Sequence, residues 1–326
     1  MAGGSVNSFR SRLTMLSALL MLLACTSGSE HETPAPARPI HLTAAVGAAS
    51  IATRATGTAA DMQHTRFVAG SQIAVFVEAP AMDYGSVPAC YTVADNQSDL
   101  TTMPQQLFPG QGTIALYALY PYAAFATATR SGGAVPFGVQ TDQTALADYR
   151  ASDLMTVGRP TVGRDEDPVA LSFSHRLAKL TLRLAQGTLN GEQVASSALA
   201  GSTLQLKQVC HTGTVDLSSA ALSYTTNTAD LSDITVAGTT DLVYDTSYSI
   251  VLPPQTLPAG TVVTFTTGDG VDYSGRTAAP ITLTAGTHFT LDITVLPKLP
   301  LVVALGTIMP WTDYDEGRPV VGDLRE

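Results

Sequence analysis

Few side chains of this 326-residue chain are of types that carry chemistry, and their spacing decides what they can do. The six histidines are scattered along the chain: His31, His41, His64, His175, His211 and His288. No two of them form the HExxH pair of a metalloprotease helix, and none flanks an obvious nucleophile. The chain also has no Gly-x-Ser-x-Gly elbow and no phosphate-binding glycine loop followed by lysine. We therefore expect no catalytic residue, no cofactor and no metal site, and His175 is predicted to serve packing or hydrogen bonding.

A cysteine near the N-terminus has a setting that predicts covalent modification. Arg10 and Arg12 precede an apolar run of 12 residues, which is too short to span a bilayer but suits the core of a signal peptide. The run ends in Leu22-Leu23-Ala24-Cys25, which resembles the bacterial lipobox, where the thiol is diacylated and the chain is cut just before it. Residues 1–24 are thus predicted to be a lipoprotein signal peptide, with Cys25 as the lipidated residue. The alternative is an ordinary secretory signal followed by an incidental cysteine.

The other two cysteines, Cys90 and Cys210, leave two interpretations open. Outside the cytoplasm they could form a disulfide, and a bridge closing so long a loop would contribute about 4–5 kcal/mol in the chain-entropy model. Two buried free thiols are the alternative. Because no histidines stand at the required spacings, the pair does not predict a structural zinc site.

Composition predicts the class of fold that must position these residues. Only 13% of residues are charged and 45% are apolar, so a buried core is available. Threonine occurs 43 times, glutamate 7 times and lysine 3 times, which favours strands over helices. The net charge is −10, and removal of the first 24 residues with their two arginines makes it −12, which argues against binding of nucleic acid.

Alternation of apolar and polar residues recurs along the chain and indicates half-buried strands. Within residues 179–184, three leucines alternate with Lys179, Thr181 and Arg183, which predicts one buried and one solvated face. Further strands are predicted at Gln72–Val77, Ile114–Tyr120, Tyr248–Leu252, Val262–Thr267 and Leu301–Leu305. Only short helical turns are predicted, at Leu146–Tyr149 and Glu192–Leu199. The fold class predicted is all-β.

The order of these segments also predicts how the chain divides. Residues 25–54 are proline-containing and partly apolar, and are predicted to be a stalk or a removable N-terminal segment. The charged stretch 163–168 is the predicted boundary between an N-terminal β-sandwich, 55–165, and a C-terminal β-sandwich, 166–326.

Five segments, taken together, resemble the fimbrillin family, the Mfa-like type V pilus proteins of Bacteroidetes. In chain order they are Phe67–Phe76, Leu171–Leu180, Val251–Leu257, Ala285–Leu291 and Ile308–Trp311. The first departs from the family at Ser71, where aspartate is usual. The segments cover almost the whole chain after the stalk.

The resemblance implies two transthyretin-like β-sandwich domains in tandem and a place in cell-surface fimbriae. It also implies export as a palmitate-bearing lipoprotein precursor to the outer membrane. In that family an Arg-specific protease removes an N-terminal strand, and a strand from another fimbrial subunit fills the groove. The role as stalk, tip or anchor subunit stays open.

Processing of this chain is predicted at Arg54, which follows the apolar stretch Ile40–Ile51. Arg38 is the poorer candidate because proline follows it. For a C-terminal donor strand, Leu299–Leu305 is the better candidate, since the tail after Trp311 has few apolar residues. A protein that is never processed is the alternative.

A rival function is a surface lipoprotein that binds a glycan or host ligand and does not polymerise. In that case the single tryptophan, Trp311, would be a carbohydrate platform, whereas a packing anchor is the preferred interpretation. A hydrolase on a sandwich scaffold is a third interpretation, which the missing nucleophile and base disfavour.

Overall fold

The computed structural model describes residues 35–47, 67–238, 242–311 and 320–321. Over these residues the chain is built of short strands with one α-helix, α1 (Leu146–Ser152), and three 3-10 turns, at Tyr122–Ala124, Arg130–Gly132 and Ser196–Leu199. The prediction of an all-β fold is confirmed.

The first ten strands are β1 (Arg38–Pro39), β2 (Leu42–Val46), β3 (Gln72–Glu78), β4 (Ala89–Val93), β5 (Asp99–Thr101), β6 (Leu107–Phe108), β7 (Ile114–Tyr120), β8 (Ala134–Gly138), β9 (Met155–Val162) and β10 (Val169–His175). The others are β11 (Ala178–Gln186), β12 (Thr203–Cys210), β13 (Thr212–Asp216), β14 (Tyr224–Thr226), β15 (Leu231–Gly238), β16 (Thr246–Leu252), β17 (Gln255–Leu257), β18 (Val262–Thr266), β19 (Asp272–Arg276), β20 (Ile281–Leu283), β21 (Thr287–Val295), β22 (Val302–Pro310) and β23 (Val320–Val321). All five strands predicted by their bounds are present, and so are the two predicted helical turns.

Seven strands close into a barrel in the order β10-β2-β5-β4-β3-β7-β9. Every neighbouring pair is antiparallel except β2 and β10, which run parallel. The barrel interior is apolar, with Ile73, Val75 and Val77 of β3 among its buried side chains. A second cluster of the core takes the opposite face of the same strand, through Ala74 and Phe76. Strand β3 is therefore covered on both faces and shows no polar alternation.

The second core lies among sheets of the C-terminal half. One sheet has the order β22-β21-β11-β16-β23, another β15-β12-β18-β19, and their inward side chains belong to one hydrophobic cluster. The three leucines of β11 are fully buried, as predicted. The prediction of a solvated face for that strand is wrong, however, because Lys179 and Thr181 are buried as well. Strand β11 lies between two other strands at the centre of its sheet, where both faces are covered.

Strand pairing crosses the predicted division at 165/166 in both directions. Strand β10 follows that boundary in the chain but pairs with β2 and β9 of the barrel. In the other direction, β8 precedes the boundary but pairs with β13. Arg130 and Arg176 donate hydrogen bonds to carbonyl oxygens of Leu217 and Ala221, and so fasten the 217–221 loop to the barrel. The described residues from Ala37 onward form one compact unit.

Two further findings concern the cysteines and the possibility of membrane-spanning helices. Cys90 is half-buried and Cys210 is buried, and both are free thiols, so the disulfide interpretation is not supported. Within the described ranges, the search for a helix long and apolar enough to cross a bilayer finds none.

Candidate assembly site at the N-terminal strand

Strand β2 supplies one wall of the barrel core. Alternate side chains along it and just before it point inward, and Ile40, Leu42, Ala44 and Val46 are each 4% exposed or less. The residues between them are partly or fully exposed. This alternation is that of a strand with one face sealed in a core, and the stretch Ile40–Ile51 predicted to be a removable strand begins with it.

The backbone of β2 is held unevenly on its two sides. Along β10 it pairs over five residues, from Leu42 with Val169 to Val46 with Phe173. Along β5 it pairs over only two residues, although Ala44 also donates a hydrogen bond to the carbonyl of Ser98 at 2.8 Å. Loss of β2 would leave a groove between β10 and β5, with unpaired backbone groups on both walls and an apolar floor.

The short strand β1 precedes β2 and begins with Arg38, whose guanidinium is bound by a loop. Arg38 donates hydrogen bonds to the Asp167 carboxylate at 3.0 Å and to the carbonyl oxygens of Arg164 and Glu166. Its guanidinium lies over the ring of Phe108, 5.3 Å from the centroid. We name the receiving groups, which are Phe108, the carbonyls of Arg164 and Glu166, and the Asp167 carboxylate, the arginine clasp.

The loop that forms the clasp is the charged stretch 163–168 that was predicted to be a domain boundary. Sequence reasoning missed its contact with β1. A signal was present in the sequence, since a dense run of charges in a chain with few charges needs partners, but nothing local indicated that Arg38, more than 120 residues away, was one.

Strand β22 is the most exposed long strand among the described residues, and it includes most of the predicted donor Leu299–Leu305. It lies at the edge of its sheet and pairs only with β21. Val302, Leu305 and Ile308 are 50%, 48% and 56% exposed. An apolar edge strand that leaves so much of its own surface exposed can pair with another chain.

Beyond β22, Trp311 is buried and its indole stacks on the imidazole of His175, with ring centroids 3.6 Å apart. The His175 Nδ1 lies 2.9 Å from Asp153, and both side chains are 1% exposed. These contacts join the end of β22 to the end of β10. The predictions of a packing role for His175 and for Trp311 are confirmed, and the tryptophan is no surface platform for sugar.

The two residues predicted to be modified, Cys25 and Arg54, lie outside the described residues. The expectation of no catalytic residue and no metal site concerns the whole chain. Across the described ranges there is no group of three or more His, Cys, Asp or Glu side chains that could hold a metal ion. The site defined by β1, β2, the clasp and β22 consists of strand edges, apolar faces and one bound guanidinium. These features are suited to pairing with further strands.

Comparison with known proteins agrees with this class. Residues 53–311 match a protein-family model described as fimbrillin-like. The chain therefore belongs to the fimbrillin-like family, which is a family of fimbrial structural proteins, and the resemblance seen in its motifs is confirmed. A search of curated proteins finds no match.

Solved structures show the same fold. A protein from Bacteroides uniformis, described as a candidate cell adhesion protein, is 20% identical and superposes with a TM-score of 0.61 over 84% of this chain and 99% of its own. A second candidate cell adhesion protein, from Bacteroides ovatus, is 17% identical with a TM-score of 0.61, over 86% of this chain and 100% of its own.

Proposed function

We propose that this protein is a structural or accessory subunit of cell-surface fimbriae that joins other fimbrial subunits by strand exchange. The observation that carries the proposal is the place of β2. It is a complete alternating apolar strand of the barrel, and the predicted processing site Arg54 lies between it and the next strand, β3. Cleavage there would leave β1 and β2 bound only by non-covalent contacts.

The burial of β2 sets what a replacing strand must supply. Full burial of a Val, Leu or Ile side chain is worth about 1.5–3 kcal/mol, and β2 and its flank bury three such side chains and one alanine. A groove that has lost them exposes apolar surface, so it is stable only when another strand covers that surface. Such a joint combines this burial with a continuous backbone ladder, and it is correspondingly durable.

A C-terminal strand of another subunit is the donor in this proposal. The exposed apolar side chains and edge position of β22, which includes most of Leu299–Leu305, support a donor from this part of the chain. Its end is fixed by Trp311 against His175, so release would begin upstream of that contact.

Export and anchoring complete the proposal. Cys25 carries the lipid that holds the precursor at the outer membrane, Arg54 is the cleavage site, and the mature body extends from the cell surface as part of a fimbrium. The two hydrophobic cores correspond to two transthyretin-like sandwich domains, and we place the division after His175 because β10 completes the first core.

The test treats the purified chain from residue 25, with Cys25→Ser, with an Arg-specific protease. We expect cleavage after Arg54 and then ladders of subunits that survive detergent. Arg54→Lys is the matched control, since it keeps the positive charge but removes the cleavage site. Cleaved protein that stays monomeric at high concentration, alone and with other fimbrial subunits, would contradict strand exchange.

A glycan-binding role without polymerisation is the second candidate, and a surface groove that carries some polar groups favours it. The groove lies on the sheet of β8, β13 and β14, and its lining includes hydroxyl, amide and carboxylate groups of Thr214, Thr225, Asn227 and Asp230. Such groups hydrogen-bond sugar hydroxyls. In this case the uncleaved monomer would bind glycans on an array, and Asp230→Asn would weaken that binding.

A further inference from the structure

Part of the arginine clasp is held by contacts that do not involve the N-terminal strand. The Glu166 carboxylate is paired with Arg159 by two hydrogen bonds, one of them 2.9 Å from Nη2 to Oε2. Arg164 donates to the carbonyl of Pro109 at 2.6 Å. Because these bonds do not involve β1, the two carbonyl acceptors of the clasp keep their support when β1 leaves. The Asp167 carboxylate meets Arg38 and the His41 Nδ1, so an incoming strand must supply its partner.

The aromatic floor of the clasp has one contact outside the N-terminal strand, although its own strand β6 pairs with β1 at Arg38 and Pro39. Phe108 is fully buried, and its neighbour in β6 is fastened through the Tyr84 hydroxyl, which donates to the carbonyl of Leu107 at 2.8 Å. Burial raises the pKa of Tyr84, so the hydroxyl stays a donor at neutral pH.

The chemistry of the clasp fits a guanidinium. Arg38 uses one nitrogen for Asp167 and the other for two carbonyl oxygens, and it presents its flat face to Phe108. A planar fork of donors meets all these groups together, whereas a lysine ammonium is a single point of charge on a flexible stem. Only 22% of the Arg38 side chain is exposed, so its contacts are shielded from solvent in part.

We propose that the clasp is a specificity site of the exchange groove. It selects an incoming strand that carries arginine two residues before its first buried side chain, as Arg38 stands before Ile40, and this inference rests on the proposed function. The clasp also sets the register of the strand. Strand side chains alternate with a period of two, and a slip by one residue would turn every apolar side chain out of the core.

The occupant we infer is the C-terminal tail of a second copy of this chain. Arg318-Pro319-Val320 repeats the order Arg38-Pro39-Ile40, with arginine, proline and a β-branched aliphatic residue. The third Arg-Pro pair of the chain, at Arg159, belongs to β9, and its guanidinium is engaged by Glu166. The tail is lightly held at its own sheet, because β23 pairs with β16 over only two residues.

The other C-terminal segment, Leu299–Leu305, has the fuller apolar alternation but does not meet the arginine requirement. In the apolar alternation of Leu299–Leu305 the position two residues before the first apolar side chain is Pro297, and Lys298 stands one place away from it. The clasp therefore distinguishes the two candidate donors.

The experiment measures strand replacement in a single protomer. The full mature chain, with Cys25→Ser, receives a site for a specific protease within residues 55–60. After cleavage its own N-terminal strand stays bound, and fluorescent peptides of residues 37–47 are added to replace it. We expect the native peptide to bind about tenfold more tightly than its Arg38→Ala version, with Arg38→Lys between them.

A double-mutant design assigns the difference to the clasp. Asp167→Asn should remove most of the preference for the native peptide over Arg38→Ala, whereas Asp165→Asn, an exposed acid of the same loop, should keep it. Equal binding of the native and Arg38→Ala peptides to the unaltered protein would overturn the clasp as a specificity site. The preference is also expected to fall as salt concentration rises.

The occupant is tested with peptides of residues 316–326 and 297–307. Binding of the first that depends on Arg318 supports the inferred tail, and tighter binding of the second overturns it. Because replacement is read in one protomer, the clasp can be confirmed even where cleaved protein forms no ladders, which is the result that would refute the proposed function.

Discussion

At the scale of residues, polar groups in this protein are buried where strands from the two cores meet. The His175 imidazole has the Asp153 carboxylate on one edge and the Trp311 indole against its face. Burial of such groups is favourable only when they are paired, and both side chains of the His–Asp pair are almost completely sealed. The contact therefore holds β10 to the end of β22.

Replacement of Trp311 by alanine is expected to destabilise the protein strongly. Truncation of a buried aromatic side chain costs about 3–5 kcal/mol, and it uncovers the His–Asp pair as well. Trp311→Phe keeps an aromatic ring on His175 and should cost less. Urea unfolding followed by far-UV circular dichroism measures both variants, and equal stability of Trp311→Ala and the native protein would contradict the anchoring role.

The two free thiols should react slowly and increasingly with pH. Burial raises the pKa of Cys90 and of Cys210, so the reactive thiolate is scarcer at neutral pH than for an exposed cysteine. With Cys25→Ser, modification by a thiol reagent should accelerate above pH 9, and half-buried Cys90 should react before buried Cys210. Cys90→Ser and Cys210→Ser assign the two phases. Two equally fast reactions at pH 7 would contradict this burial.

At the scale of elements, the alternation of apolar and polar residues predicted where strands lie better than it predicted which of their faces are exposed. The strand Ile114–Tyr120 has the predicted bounds, because a run of apolar and β-favouring residues between turns specifies a strand locally. Which faces are covered depends on partners distant in sequence. The polar residues Lys179 and Thr181 are buried because β11 is central in its sheet, and no local pattern contains that information.

The candidate site also has a part that the sequence predicts and a part that only the fold shows. The apolar alternation of Ile40 to Val46 and the exposed, donor-like character of the C-terminal region follow from sequence. The clasp does not, since it joins Arg38 to a loop more than 120 residues away through two carbonyl oxygens and one carboxylate. Backbone acceptors leave no sequence signature, so only the fold shows that residues 163–168 bind an arginine.

A glycine in β9 tests how closely the 217–221 loop packs on the barrel. A Cβ built on Gly158 would lie 2.0 Å from the carbonyl oxygen of Ala220, so Gly158→Ala must displace backbone. We expect a loss of about 1–3 kcal/mol in unfolding free energy. Gly163→Ala is the matched control, because nothing lies within 4 Å of its built Cβ. Similar stability of both variants would show that the loop moves aside freely.

At the scale of the whole molecule, the two cores are coupled through shared strands. Strand β3 gives Val75 to the barrel interior and Phe76 to the other cluster, and β8 crosses to pair with β13. Charge patterning predicts a boundary at 165/166. Strand pairing crosses that point in both directions, because pairing between distant strands does not follow local polarity.

This sharing predicts a single cooperative unfolding transition for the mature chain. Leu116→Ala removes a fully buried side chain from the barrel and Leu206→Ala removes one from the second core, each at a cost of about 2–5 kcal/mol. Trp311, the only tryptophan, belongs to the second core, so its fluorescence reports that core while far-UV circular dichroism reports all strands. Because a barrel weakened by Leu116→Ala takes away one face of the second core, the tryptophan transition should move to lower urea by the same amount as the dichroism transition. Leu206→Ala should likewise move both transitions together. A tryptophan transition that Leu116→Ala leaves unmoved would mean that the two cores unfold independently, as domains joined only by a linker would.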